Sequence, residues 1–155
     1  GGWALARLSQ PAMMQASLAD TALRAHATYV VEVVHPVEVQ AEEAAHLTGW
    51  LSKRLGRPLA PPDFSTQGFR LMGGRVVPSG AGPAALLMYE DDLGRRVTLF
   101  AAPGKAGGDT AFQFAQSDKA QSFTWVDGAL SYAVSGDIPR EVLRALALSA
   151  YDQLI

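Results

Sequence analysis

The chain has 155 residues, 48% of them hydrophobic, which is the size and composition of one folded globular domain. The 13 basic and 15 acidic residues give a formal net charge of -2 without any basic cluster, so nucleic-acid binding is not expected. The absence of cysteine excludes disulfides, thiolate metal sites and a cysteine nucleophile.

The N-terminal segment carries a short apolar run that ends at Arg7. This run is far shorter than the roughly 20 residues that span a bilayer, and it lacks the basic residues that open a signal peptide. Two interpretations stay open. The leading glycines are a cloning remnant, or Gly1 lies just outside a membrane helix, with Trp3 and Arg7 marking the interface.

A first helix is predicted over residues 11–27, where Met13, Leu18 and Ala22 form a narrow apolar stripe without any glycine. Three arrangements stay open: the helix packs on the rest of the domain, it packs on a partner as in a homodimer, or it stands apart as a juxtamembrane stalk. We therefore divide the chain into a helical stalk, residues 1–27, and a domain, residues 28–155.

A strand and a second helix are predicted next. Residues 28–34 form a β-branched run that ends before Pro36, which favours a strand. Residues 41–55 show helical spacing of apolar residues, acidic residues in the first turn and basic residues in the last, and Gly56 is suited to cap the helix.

The middle of the chain predicts a loop followed by strands. Residues 57–67 contain three prolines and read as an extended loop, and residues 69–78 read as a strand with a bulge or bend at Gly73-Gly74. Residues 84–90 and 95–101 predict a hairpin, and residues 104–109 a flexible loop.

The last third of the chain predicts a hairpin and a helix. Residues 121–126 and 129–135 alternate as two half-buried strands joined by a turn at Asp127-Gly128. Pro139 is suited to the first position of the helix that follows. The buried stripe of this helix is predicted to be Val142, Leu143, Leu146, Ala147, Ala150 and Leu154.

The order of these elements predicts an α+β single domain, with a mainly antiparallel curved sheet of about five to six strands covered by helices on one face. Gly80-Ala-Gly82-Pro-Ala-Ala85 matches a dinucleotide fingerprint in letters, but a strand follows it, so we interpret it as a hairpin loop. Asp91-Asp92 is interpreted as a turn pair.

Chemistry-bearing patterns are scarce. No G-x-S-x-G motif or recognisable triad is present, and the protein is not expected to be an enzyme. Glu42 and His46, four apart on a helix, could hold a metal with His35 or His26, although a solvated helix face is the more common meaning of such a pair. Five aromatic residues either line a ligand groove or belong to the core, which we favour: Trp50, Tyr89, Phe123, Trp125 and Tyr132. No catalytic, cofactor-binding or metal-binding residue is assigned.

Several segments together carry a resemblance to a known family. In chain order they are Arg24–Val39, Trp50–Gly56, Gly68–Arg75, Met88–Arg96 and Phe123–Asp137, the last followed by a short helix. As an ordered set covering residues 24–154, they resemble the extracytoplasmic domains of bacterial transmembrane anti-sigma factors. The sigma-binding segment, its zinc motif and the membrane helix of that family are absent from these 155 residues.

The resemblance implies a periplasmic sensor domain of a single-span inner-membrane protein. In that family a separate cytoplasmic segment inhibits an extracytoplasmic-function sigma factor. Cleavage by a site-1-type protease and then by an intramembrane protease releases the sigma factor to transcribe stress genes, and a periplasmic regulator is a further expected partner. The alternative is an extracytoplasmic ligand- or protein-binding domain unrelated to sigma factors, and a small enzyme with a site that no motif encodes is a third interpretation.

Overall fold

The computed structural model describes residues 10–29, 39–40, 48–49, 52–53, 56, 59–80, 82–103, 112–127 and 130–154. Its elements, in chain order, are α1 (Gln10–Tyr29), β1 (Val39–Gln40), a 3₁₀ turn (Ser65–Gln67), β2 (Phe69–Ser79), β3 (Gly82–Asp91), β4 (Arg96–Pro103), β5 (Gln113–Gln116), β6 (Gln121–Asp127), β7 (Leu130–Gly136) and α2 (Arg140–Leu154).

The strands form one curved sheet in the order β1-β2-β3-β4-β7-β6-β5, and every neighbouring pair is antiparallel. Two runs of sequential strands, β1–β4 and β5–β7, are therefore joined by the pairing of β4 with β7. The predicted α+β class is confirmed, with six strands of 4 to 11 residues and the two-residue β1 at one edge.

Helices α1 and α2 lie on opposite faces of this sheet. Side chains of α2 join Leu99, Trp125 and Tyr132 in one core cluster, whereas Ala22 of α1 joins Phe100 and Ala133 in another. Because neighbouring residues along a strand point to opposite faces, these clusters lie on the two sides of the sheet. The expectation of helices on one face is wrong. We call the two sides the α1 face and the α2 face.

Helix α2 forms as the sequence predicts, because its apolar residues recur at helical spacing. Leu143, Leu146, Ala147 and Ala150 are fully buried, and Val142 and Leu154 pack at the edge of the same core. The start of the helix differs slightly: the carbonyl of Pro139 accepts a hydrogen bond from the Leu143 amide at 3.0 Å, and the first helical residue is Arg140. Pro139 is thus the N-cap residue rather than the first helical one.

The β6–β7 hairpin exists, but its register and burial differ from the prediction. Asp127 pairs with Leu130, so Asp127 belongs to the strand instead of the turn. This register places Trp125 opposite Tyr132, with their rings stacked 5.3 Å apart. The hairpin was expected to be half-buried, yet residues 122–126 and 130–136 are all buried, because α1 covers the second face.

The other two predicted hairpins are confirmed. A register shift between Leu71 and Gly73 forms the predicted bulge, and Gly73 has a φ of 151° that suits glycine. Ser79 pairs with Gly82, so the glycine-rich segment is a hairpin connection with no helix after it. In the β3–β4 turn, Asp91 accepts hydrogen bonds from the amides of Leu93 and Arg95, as expected of a turn aspartate.

The N-terminal third departs most from the sequence prediction. Helix α1 continues to Tyr29, so Thr28 and Tyr29 are helical where the β-branched run predicted a strand, and the remainder of that run lies outside the described residues. The predicted helix over residues 41–55 is described only at residues 48–49 and 52–53, which are helical, and Gly56 follows with a φ of 75°. No helix within the described ranges has the length and apolarity needed to cross a bilayer.

Candidate functional site

The surface where α1 docks on the sheet is the most unusual part of the described structure. Between residues 18 and 27, the buried side chains of the helix are Ala19, Ala22, Leu23 and His26. Three of the four are small or polar, so between residues 18 and 27 Leu23 is the one large apolar side chain of the helix that is buried, with Leu18 packed partly buried beside the same contact. The apolar part of this contact is completed by Phe100, Ala133 and Leu86 of the sheet.

The imidazole of His26 is the polar centre of this docking surface. His26 is 4% exposed, and its Nδ1 lies 2.9 Å from the Thr98 hydroxyl oxygen on β4. Burial lowers the pKa of His26 from 6.5 to about 4, although the charge of Asp137 acts in the opposite direction. The docked helix therefore holds a neutral imidazole at neutral pH.

A row of hydroxyl groups continues from Thr98 across the sheet. Ser135 on β7 pairs with Thr98 in register, and Ser122 on β6 pairs with Ser135. The Ser135 hydroxyl donates a hydrogen bond to the Ser122 hydroxyl at 3.0 Å. Within the described residues every buried serine or threonine lies on the α1 face: Thr98, Ser122, Thr124, Ser131 and Ser135.

A cleft opens beside this surface, between α1 and the turn that joins β5 to β6. Its volume is about 470 Å³, and Ala19, Leu23 and Ala27 form the helix side of its lining. Ala115 and the polar turn residues 116–119 form the opposite side. The cleft combines small apolar walls with a charged mouth, where the Asp20 carboxylate and the Arg24 guanidinium form an ion pair at 3.1 Å.

Among the described residues, the α2 face has no buried serine, threonine or histidine. Tyr89 is buried there, its hydroxyl donates a hydrogen bond to the Pro62 carbonyl at 2.7 Å, and burial raises its pKa. Tyr89, Phe123, Trp125 and Tyr132 all lie in the core, as we favoured for these aromatic residues. Trp50, the fifth of that set, lies outside the described residues.

The metal interpretation receives no support within the described part of the chain. His26, one of the residues considered as a metal ligand, is hydrogen-bonded to Thr98 through its Nδ1. No group of three potential metal-ligating side chains occurs among the described residues. Glu42, His46 and His35 lie outside the described residues. Asp91 is engaged in its turn, where its carboxylate also accepts a hydrogen bond from Arg95 Nε at 2.7 Å.

Sequence reasoning missed the role of His26 and the hydroxyl row. A signal was present on the last two strands, where small hydroxyl residues alternate with large apolar ones: Ser122, Thr124, Ser131 and Ser135. Small hydroxyl side chains can be buried under a helix as well as exposed to water.

No family model matches the chain, and no curated protein matches it in sequence.

Proposed function

We propose that this chain is the periplasmic regulatory domain of a single-span transmembrane anti-sigma factor, in which docking of α1 on the sheet controls proteolysis. The resemblance over residues 24–154 supports the family. One structural observation supports the mechanism: between residues 18 and 27, the side chains that α1 buries are Ala19, Ala22, Leu23 and His26, three of them small or polar. The domain acts by binding and unbinding its own helix, and is not itself an enzyme.

The physical basis is local unfolding. A protease cleaves a stretch that has opened, and the population of the open form falls as the free energy of opening rises. Between residues 18 and 27, releasing α1 exposes Ala19, Ala22 and Leu23 and uncovers sheet residues such as Phe100 and Leu86. We expect this to cost less than exposing the larger aromatic core under α2. Helix α1 is thus the described element that we expect to open first, and a site-1-type protease then acts on the segment of residues 1–27.

A matched pair of variants tests this mechanism in the full-length protein in cells. Ala22→Glu places a carboxylate at a position that is 0% exposed, so α1 is expected to leave the sheet. Asp20→Glu places the same side chain at an exposed position of the same helix and serves as the control. Immunoblots of the membrane protein and a sigma-dependent reporter should show more cleavage and transcription for Ala22→Glu alone. Equal cleavage of both variants and the wild type would contradict the proposal.

The family assignment has a separate test in the parent gene. The proposal expects an apolar span of about 20 residues ahead of Gly1, preceded by a short polar domain. A start codon or a cleavable signal peptide directly before Gly1 would reject the anti-sigma assignment.

A second function, binding of a ligand or a protein partner unrelated to sigma factors, is supported by the cleft between α1 and the β5–β6 turn. Its apolar walls and charged mouth suit an amphipathic ligand. Ala115→Leu would fill the cleft from the strand side, and loss of binding in a ligand screen, without loss of thermal stability, would identify the cleft as the site. Retained binding would place it elsewhere.

A further inference from the structure

Between residues 18 and 27, the one buried titratable side chain of α1 is His26, and it lies where a charge is poorly tolerated. His26 is almost fully buried, and its hydrogen-bond partner is the neutral hydroxyl of Thr98 rather than a carboxylate. The hydroxyl row beyond Thr98 is also neutral. A buried imidazolium without a paired carboxylate is unfavourable, because no counter-charge replaces its lost hydration.

Charged groups surround this site without pairing with it. Arg96 on the α1 face is bonded to Glu90 of β3, with 3.2 Å between Nε and Oε2, so both are engaged with each other. The carboxylate of Asp137 attracts a proton to His26, but burial has the larger effect. The charged side chains on the described elements around α1 are Arg70, Arg75, Glu90, Arg96, Asp118, Lys119 and Asp137 from the sheet and its connections, and Asp20 and Arg24 from α1 itself.

We infer that α1 is an acid-sensitive latch: protonation of His26 favours release of the helix from the sheet and thereby opens the N-terminal segment in mildly acidic surroundings. In the released helix the imidazole is hydrated, so burial no longer destabilises its positive charge. The use of this latch in regulated cleavage rests on the proposed function. The latch itself is a property of the folded domain and can be tested without a protease or a membrane.

The size of the effect follows from proton linkage. The pKa of His26 is about 4 in the docked helix, against 6.5 for a hydrated histidine. The released state therefore binds more protons between these values, and falling pH favours it. At about pH 5.5 the equilibrium constant for release should be about tenfold larger than at about pH 7.5.

Amide hydrogen exchange of the 155-residue chain measures this equilibrium directly. After correction for the pH dependence of intrinsic exchange, amides of residues 18–27 should open about tenfold more at about pH 5.5 than at about pH 7.5, while those of β4 and β7 should change less. In His26→Gln, which keeps a polar side chain without a titrating group, the acid step should disappear. His35→Gln and His46→Gln are the matched controls and should keep it.

An unchanged exchange rate in the wild type, or the same acid step in His26→Gln, would overturn the latch. If His26→Gln does not fold, an NMR titration of the wild-type imidazoles decides the question. A His26 that titrates near its ordinary pKa with α1 still docked would also overturn it. An acid step in exchange without acid-dependent cleavage of the full-length protein would support the latch and contradict the proposed function.

Discussion

The α2 face and the α1 face of the sheet are built on the same strands but from different chemistry. Under α2 the strands present Leu99, Trp125 and Tyr132, and the core is large and almost entirely apolar. Under α1 the same strands present Thr98, Ser135 and other small hydroxyl residues beside Phe100 and Ala133. The difference shows that the burial of a sheet surface does not by itself measure how strongly the covering helix is bound to it. Both helices cover buried residues of the sheet, but between residues 18 and 27 the one large apolar side chain that α1 buries is Leu23, whereas α2 buries Leu143 and Leu146 against the aromatic core.

The largest expected effect comes from Trp125, the largest fully buried side chain of the α2 face. Trp125→Ala should lower the free energy of unfolding by about 3–5 kcal/mol, because it removes the indole from a core too dense to refill the space. Urea denaturation measures the change. The same variant should raise cleavage of the full-length protein in cells, since it unfolds the body that holds α1. A lowered melting temperature with unchanged cleavage would show that cleavage does not depend on the stability of the fold, and it would argue against control of proteolysis by docking of α1.

The pH dependence of unfolding should distinguish the two faces by sign. The pKa of His26 on the α1 side is lowered to about 4, so its contribution is present above pH 6.5 and about 3 kcal/mol is lost as the pH falls through 6.5 towards 4. The pKa of Tyr89 on the α2 face is raised by burial, so its contribution is lost only above pH 10.

Denaturation curves over this pH range, with His26→Gln and Tyr89→Phe, check this assignment. His26→Gln should remove the acidic loss alone, and Tyr89→Phe the alkaline loss alone. A common effect of both variants at either end of the range would break the comparison between the faces.

A smaller effect is expected from the His26–Thr98 hydrogen bond. His26→Leu should cost about 1–3 kcal/mol, because it leaves the buried Thr98 hydroxyl without this partner. Adding Thr98→Val should recover most of that loss, since both polar partners are then replaced by apolar groups. A double-mutant cycle in urea measures the coupling, and strictly additive losses would show that the pair is not energetically linked.

The smallest expected effect concerns the indole N–H of Trp125, which is buried without a hydrogen-bond partner among the described residues. Trp125→Phe removes this unsatisfied donor while keeping an aromatic ring beside Tyr132. The gain from removing the donor should offset much of the lost contact, leaving the free energy of unfolding within about 1 kcal/mol of the wild type. A loss as large as that of Trp125→Ala would indicate an acceptor for the indole.

Helix α2, the β3–β4 hairpin and the bulge in β2 could be predicted because their signals are local. The apolar residues from Val142 to Leu154 recur at helical spacing and predict α2. Asp91, a residue type favoured in turns, predicts the β3–β4 hairpin. The bulge follows similarly from Gly73. Each signal lies within the element it specifies, so no knowledge of distant partners is needed.

The α1 face could not be predicted because its partner lies far away in sequence. The hydroxyl residues of β6 and β7 look solvent-facing until a helix more than 90 residues earlier covers them. The pairing of His26 with Thr98 spans 72 residues for the same reason. β5 was missed because four residues, Gln113 to Gln116, are too few to show an alternating pattern.

The pairing of β4 with β7 has a mechanical consequence. It is the only contact within the sheet between non-sequential strands, as far as the described strands go, and it joins the two halves of the sheet from Val97–Gly136 to Pro103–Leu130. Helix α1 contacts β4 on one side of this seam and β5, β6 and β7 on the other. Helix α1 therefore bridges the β4–β7 pairing. A force applied at the N-terminus would detach α1 from the sheet before it acted on the hydrogen bonds between β4 and β7.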